Sequence, residues 1–368
     1  MKVGTLASKA VPLKDGSRVP VAIWHEQIVA ILIAWGMRPS DAETTAEVLT
    51  SADLAGIDSH GASMLALYAR HFSEGTAVPC PDIRIERDAG ALALIDAGAG
   101  LGHVPGVMAT DMAAERAERL GIGAVAVRNS NHYGAAGVYA RRLAERGLIG
   151  LSTSSVWTKA IVPTGGRRSQ LGTNPIAFAA PTGTGRPFLL DMATSTVAIG
   201  KLRLAERAGK PIPEGWAMTP EGEPETDPTR ALALADRLLA PLGGHKGYGL
   251  AVMAEVLSST LSGAIQTPLR DGTERPNDVG HFVLALDPAF LRGSREAFAA
   301  DMDRMVDALR ATLASEPETP VMVAGDPEYA AEDDRRRNGI PLPANFAAQL
   351  RTLAEEAGAP FVLGGTEP

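Results

Sequence analysis

The apolar periodicity of this chain never settles into a strand–helix–strand alternation, which argues against a doubly wound parallel sheet. Residues 21–35 carry apolar side chains at helical spacing, and Gly36 ends the run. Ser40 and Glu43 then form a capping-box pattern with Ser40 as N-cap, opening a second helix that runs towards Gly56. Residues 64–72 continue helically. A strand pattern follows: 83–87 alternates apolar and polar, Asp88-Ala89-Gly90 supplies a turn, and 91–96 returns as a hairpin partner. Further helices are expected over 105–120, 135–146, 248–261 and 294–313, with helix again through Glu356. Short strands are expected at 124–127, 149–152, 176–180, 188–191, 282–286 and 321–323. Residues 209–229 read as a surface excursion and 266–280 as a polar, mobile loop. This order predicts an α+β fold, a sheet domain with helical layers.

With 368 residues the chain has room for two or three packed units. A net charge of -8 argues against a nucleic-acid partner, which would need a basic face. The single cysteine, Cys80, excludes an internal disulfide and fits a reducing compartment. Residues 1–14 lack the apolar core of a signal peptide, and no apolar run reaches the ~20 residues of a membrane span. The cytoplasm is the expected location.

Two short stretches concentrate the chemistry. In Gly56-Ile57-Asp58-Ser59-His60-Gly61 a carboxylate, a hydroxyl and an imidazole are consecutive, at the end of a helical pattern. In Ser130-Asn131-His132-Tyr133-Gly134 a second imidazole sits between a strand and a helix. An unperturbed pKa of ~6.5 lets histidine give and take a proton near neutrality. The plain alternative for each is a helix-end or loop histidine bonded to a carbonyl. No complete G-x-G-x-x-G occurs; Gly98-Ala99-Gly100-Leu101-Gly102 comes nearest, with its third glycine misplaced. Lys201 and Lys246 lack a Walker context, and seven scattered histidines give no close metal-ligand pair.

The S-H-G and S-x-H-x-G motifs, with Leu171-Gly172-Thr173-Asn174-Pro175, Leu190-Asp191-Met192-Ala193-Thr194-Ser195 and Gly243-Gly244-His245-Lys246-Gly247-Tyr248-Gly249, resemble the type-2 malate/L-lactate dehydrogenases. Ureidoglycolate dehydrogenase, diketogulonate reductase and piperideine-carboxylate reductase are relatives within that family. The resemblance spans residues 56–325. It implies a non-Rossmann NAD(P)-binding domain with a largely antiparallel sheet over 81–289, and a helical domain built from 1–80 and 290–368. It also implies an NAD(P)-dependent oxidoreductase, a homodimer, and hydride transfer between nicotinamide and a 2-oxo or 2-hydroxy acid.

Carried over by motif, His60 and His132 handle the proton in one pocket, in an order left open, and Ser59 and Asp191 assist. Asp191 is expected to orient an imidazole. Thr194 and Ser195 are expected to open a helix whose free N–H groups face a phosphate or ribose; ordinary capping is the alternative. The cofactor is assigned Ser155, Asn174, Met192, Ala193, Thr194, Lys246, Gly247, Gly325, Asp326 and Pro327. The substrate pocket is assigned Met64, Tyr68 and Thr173, with no metal. One departure stands out. Relatives carry an arginine for the substrate carboxylate where this chain has Met64, so a charge-assisted bond of ~1.5–3 kcal/mol is missing there. Arg70 falls on another helix face. This keeps a cyclic imine or ketimine open as substrate. Outside the family, the alternatives are a hydrolase using Ser59, His132 and Asp191, without a G-x-S-x-G elbow, and a non-catalytic NAD(P) sensor. The choice between NAD and NADP is open.

Overall fold

A computed structural model describes residues 16–233, 237–316 and 318–364, so the leader expectation for 1–14 lies outside the described residues. By their contacts the residues divide into two units, one up to Arg70 together with those from Glu328 onward, the other His71–Pro327.

In the first unit α1 (Val21–Ala34) buries Trp24, Ile28, Ile31 and Leu32, the three- and four-residue spacing of one helical face. Helix α2 (Pro39–Leu54) buries Ala42, Ala46, Leu49 and Ala52 in the same way. The expected capping box is absent. The N-cap is Arg38 and the helix opens at Pro39, whose missing N–H and fixed φ suit the first helical position. Ser40 therefore falls inside the first turn, bonding Asp41 Oδ1 at 3.3 Å, and Glu43 pairs with His25 at 2.8 Å. A two-residue ribbon, β1 (Arg18–Val19) against β11 (Ile340–Pro341), ties the two ends of this unit together. Helices α11 (Asp326–Asn338) and α12 (Ala344–Ala357) complete it, Phe346 lying 6.1 Å from the Trp24 ring. After α2 the backbone reverses at Gly56 (φ 78°) into two 3-10 turns, Asp58–His60 and Ala62–Met64, before α3 (Leu65–Ser73).

The second unit is built on a seven-stranded sheet. Its strands are β2 (Arg84–Ala89), β3 (Leu92–Asp96), β4 (Ile122–Ser130), β5 (Ile149–Ser154), β6 (Ile176–Ala180), β7 (Phe188–Met192) and β10 (Val279–Leu286), in the order β2-β3-β4-β10-β5-β6-β7. Only β3 and β4 pair in parallel, because α4 (His103–Leu120) carries the chain back across the sheet between them. The other five pairings are antiparallel. Helix α4 and α5 (Ala136–Glu145) cover one face, burying Ile95, Val125, Val127, Leu143 and Val283. On the opposite face Ala124, Ala126 and Phe282 pack with Leu257, from the π-helical turn Val256–Thr260 that extends α8 (His245–Glu255). Burial on both faces is why β4 reads as an unbroken apolar run rather than an alternating one.

One loop expectation is refined, and a second and one strand expectation are corrected. Residues 209–229 lie largely at the surface, but Ile212 and Ala217 are buried with Val197, Leu202, Ala231 and Leu239. Helix α6 (Ile199–Arg207), the ribbon β8 (Ala217–Met218) and β9 (Pro224–Glu225), and α7 (Pro228–Ala233) build this small cluster. Residues 266–280 are tied down. Glu255 accepts the Thr267 N–H at 2.6 Å, Arg270 donates to the carbonyls of Ile265, Asn277 and Asp278, and Asp278 accepts the N–H of Asn129 and of Ile265. Residues 321–323 are not a strand: the segment reaches β7 through one bond, Leu189 N to Ala324 O at 3.2 Å, and Val323 N donates to Asp326 instead. Beyond β10 come α9 (Ala289–Arg292) and α10 (Arg295–Arg310), the latter capped by Ser294 Oγ accepting from Ala297 N.

Candidate active site

In the first unit His60 ends the 3-10 turn Asp58–His60, half-buried, with Nδ1 2.9 Å from Ser59 Oγ. Withdrawal from water holds its pKa below 6.5, so the ring is largely neutral at physiological pH. The turn is held from below by a residue that sequence reading passed over. Asp53, in the last turn of α2, is buried, and its Oδ2 accepts N–H groups from Trp24 (2.7 Å) and Ala62 (2.9 Å). Burial pushes this carboxyl up to about 7. Asp58 faces the other way and pairs with Arg335. Met64 is half-buried, whereas Tyr68 points wholly into the core and burial raises its hydroxyl well above 10.

In the second unit His132 sits on the loop from β4 to α5, half-buried, its ring edge-on to Trp157 at 6.1 Å. Gly134 N–H donates to His132 Nδ1 at 3.2 Å, so Nδ1 acts as an acceptor and the ring proton lies on Nε2. The residues around it are locked. Asn131 donates to the carbonyls of Thr76 (3.1 Å) and Ala99 (3.3 Å) and accepts from Asn277 (2.7 Å). His281, buried in β10, has one ring nitrogen 2.9 Å from Ser130 Oγ and the other 2.9 Å from Ser154 Oγ. Its ring stacks on Tyr133 at 4.3 Å, which stacks in turn on Tyr139 at 4.6 Å. Sequence reading missed Asn277 and His281, which lie about 150 residues away from the motif they support.

Burial holds His281 and His103 down to about 3, the neighbouring His281 adding to the effect on His103. An unfolded chain protonates both rings from pH ~6.5 downward, the folded one only near 3, so their contribution to stability is lost as pH falls through that interval. Each ring contributes up to ~1.4 kcal/mol per pH unit. Asp53 works in the opposite sense between 3.8 and about 7, offsetting one of the two. Urea unfolding is expected to show stability falling from pH 6.5 to pH 4, and His281→Phe should flatten that slope by about one proton. An unchanged slope in the variant would contradict the assignment.

Asp191, on β7, accepts Gly137 N–H at 2.7 Å, which puts a carboxylate at the N-terminus of α5 just beyond His132. The expected helix at Thr194 does not form, since α6 starts at Ile199. Thr194 N and Oγ1 both donate to Thr173 O at 2.9 Å, and Ser195 bonds Val197 O, so these groups are already committed to the backbone. Asn174, buried with φ 28°, donates to Ala251 O (3.0 Å) and Glu255 Oε2 (2.8 Å), and its Oδ1 has no partner among the described residues. Ser155 Oγ accepts Gly280 N–H at 3.0 Å, bridging β5 and β10. Met192 pairs with Ile176 at the end of β7, and Ala193 follows, half-buried. Gly325 (φ 102°) turns the chain into Asp326 and Pro327, and Arg310 pairs with the Asp326 carboxylate at 2.6 Å and holds its pKa low.

Gly243 and Gly244 both have positive φ and open space at the Cβ position, and α8 begins immediately after them with Lys246 exposed in its first turn. Gly247 is required for packing, as a Cβ would strike the Leu242 backbone. Tyr248, Val252, Glu255, Leu171 and Pro163 line a cleft of about 390 Å³ beside this turn. The glycine-rich turn after β3 is filled by protein: Pro81 lies over Gly100, the Asp82 backbone over Gly98, and Asn131 and Tyr133 over Gly102.

A family model described as malate/L-lactate dehydrogenase matches residues 19–351. The chain belongs to this family. This dehydrogenase is 38% identical over 348 residues to a malate dehydrogenase of Pyrococcus abyssi, covering 93% of this chain and 95% of that protein. It is 36% identical over 332 residues to a (2R)-3-sulfolactate dehydrogenase (NADP(+)) of Chromohalobacter salexigens, covering 89% and 95%. Among solved structures it resembles the delta1-piperideine-2-carboxylate reductase of Pseudomonas syringae, with a TM-score of 0.82, 28% identity, and 92% and 100% of the two chains covered. It is an NAD(P)-dependent oxidoreductase with a mixed α/β fold around a central sheet.

Proposed function

We propose that this dehydrogenase interconverts a 2-hydroxy acid and its 2-oxo acid, with His60 moving the proton and His132 polarising the reacting oxygen through Nε2–H. The bond from Gly134 N–H to His132 Nδ1 carries the division of labour. An imidazolium has no free lone pair, so a ring that accepts at Nδ1 is held neutral and serves as a hydrogen-bond donor. At His60 the neighbour of Nδ1 is a hydroxyl, Ser59 Oγ at 2.9 Å, which can donate or accept as the ring changes charge. Asp191, by fixing the start of α5, holds the His132 loop.

The bound nicotinamide supplies or takes up the hydride. The residues fit such a cofactor at the α8 turn, where Gly243 and Gly244 leave the backbone open and Lys246 adds a cation for phosphate. Asn174 Oδ1 is a buried acceptor able to take a cofactor N–H; Thr173 adjoins it, and Thr194 Oγ1 donates to Asn174 O at 3.2 Å, bringing up the segment that carries Met192 and Ala193. Asp326 fits less well, its carboxylate being held by Arg310. A non-Rossmann mode of binding is supported by the protein-filled turn after β3 and by the mainly antiparallel sheet. We also infer a cytoplasmic homodimer whose active site lies near the subunit boundary.

The test is turnover of malate, lactate and sulfolactate with NAD+ and NADP+, with a cyclic imine carboxylate and NADH or NADPH in a parallel arm. No turnover of any hydroxy acid with either cofactor would overturn the reading. Turnover of the imine alone would favour the second reading, which rests on the resemblance to the piperideine-carboxylate reductase and on Met64. The pH profile has a definite sign. Oxidation needs the neutral base, so kcat/KM should rise with pH through a pKa below 6.5 and be flat from about pH 7. Reduction, which needs the protonated ring, should fall through the same pKa. A limb above pH 7 assigned to His60 would contradict this.

A further inference from the structure

We propose that Asp53 is a positioning residue for His60, its buried carboxylate fixing the turn that presents the imidazole. The proposal rests on the reading of His60 as the proton-transfer group. Asp53 is 2% exposed, and a buried carboxylate is retained against its desolvation cost only where its oxygens are used. Here one oxygen, Oδ2, accepts both Trp24 Nε1–H at 2.7 Å and Ala62 N–H at 2.9 Å. The first bond anchors the carboxylate in the core and the second seizes the backbone two residues beyond His60. A Cβ at Gly61 would overlap this carboxylate, so the glycine of the S-H-G motif exists to let Asp53 lie against the backbone. The opposite side of the turn is tied to the same residue. Arg335 donates to Asp53 O at 2.5 Å and also pairs with Asp58. The segment from Asp58 to Ala62 is thus referenced at both ends to Asp53, with His60 between them.

A misplacement of about 1 Å costs on the order of 10²-fold in rate, which sets the scale of the effect. The test compares Asp53→Ala, Asp53→Glu, Asp53→Asn, His60→Ala and the double variant Asp53→Ala/His60→Ala. Each is assayed on the hydroxy acid that the wild-type enzyme turns over best, with a thermal melt for every protein. Asp53→Ala and Asp53→Glu should lower kcat about 10- to 100-fold with KM within about two-fold. Asp53→Asn, whose amide oxygen accepts the same two N–H groups, should recover most of the rate. In the His60→Ala background Asp53→Ala should change kcat by less than about two-fold, since residues acting through one another are non-additive. If Asp53→Ala does not fold, the Glu and Asn pair carries the comparison. An Asp53→Ala loss of equal size in both backgrounds, an Asn variant as slow as Ala, or full activity in Asp53→Ala would each overturn the proposal. Full activity in His60→Ala would instead overturn the parent reading.

Discussion

Alanine at position 60 is expected to slow hydroxy acid oxidation by about 10²- to 10⁴-fold, the usual contribution of a positioned acid–base group. The loss should fall on kcat and kcat/KM alike, because the imidazole acts on a proton that moves only in the transition state. The acid limb of the pH profile should vanish with it, since burial has placed the only titration assigned to this step below 6.5. His132→Ala is expected to behave differently. Removing a single preorganised donor to developing charge costs ~10²- to 10³-fold. The His60 limb should survive, because the role proposed for His132 is that of a donor through Nε2–H, its Nδ1 being taken up by Gly134 N–H. Steady-state kinetics from pH 5 to 9 on the two variants measure this directly. A His132→Ala enzyme that loses the limb, with a His60→Ala enzyme that keeps it, would reverse the two roles.

Gly102→Ala is expected to cost about 4 kcal/mol or more, at the extreme end for a single methyl group. An ideal Cβ there stands 2.6 Å from Asn131 O, 2.6 Å from His281 Nε2 and 2.7 Å from Tyr133 Cβ. Small overpacking is relieved when a flexible side chain swings away, but none of these three can. The Asn131 carbonyl belongs to a loop held by three side-chain bonds, to Thr76, Ala99 and Asn277. The His281 ring is held by a hydroxyl at each nitrogen and by the Tyr133 face. Gly102 N–H moreover donates to His132 O at 2.9 Å, so displacing the glycine moves the loop that bears His132. A lower urea midpoint with reduced soluble yield is the expected outcome. A variant with the wild-type midpoint would show that the loop is looser than its bonds imply.

Local periodicity carried most elements because local physics decides them. The apolar faces of α1 and α4 and the β2–β3 hairpin are all short-range features, although the hairpin turns at Gly90-Ala91, with Asp88 and Ala89 still paired in β2. What failed was competition among near-equal local options. Pro39 took the helix start that Ser40 offered, and Thr194 spent its N–H and hydroxyl on Thr173 rather than opening a helix. Residues 321–323 have strand composition, yet only one bond reaches the sheet edge. The two histidines were legible because imidazole beside serine and glycine is unusual in a helix end or loop. Their supports were not. Asp53 sits near a helix end between Ala52 and Leu54 and looks like a solvated carboxylate until burial is known, and His281 looks like any polar residue in a strand. No local signal marked Asp53: Trp24 lies 29 residues away in sequence, and the fit of Gly61 against the carboxylate shows only in the fold.

Strand β10 lies in the middle of the sheet between β4 and β5, yet it is the last of the seven to leave the ribosome. Until residues 279–286 arrive, β2-β3-β4 and β5-β6-β7 are half-sheets with bare inner edges, each an invitation to pair with the wrong chain. Closure joins segments about 130 to 160 residues apart, a high contact order that makes assembly slow. His281 arrives on that same strand, so the loop bearing His132 lacks this support until the zipper between the two half-sheets is drawn.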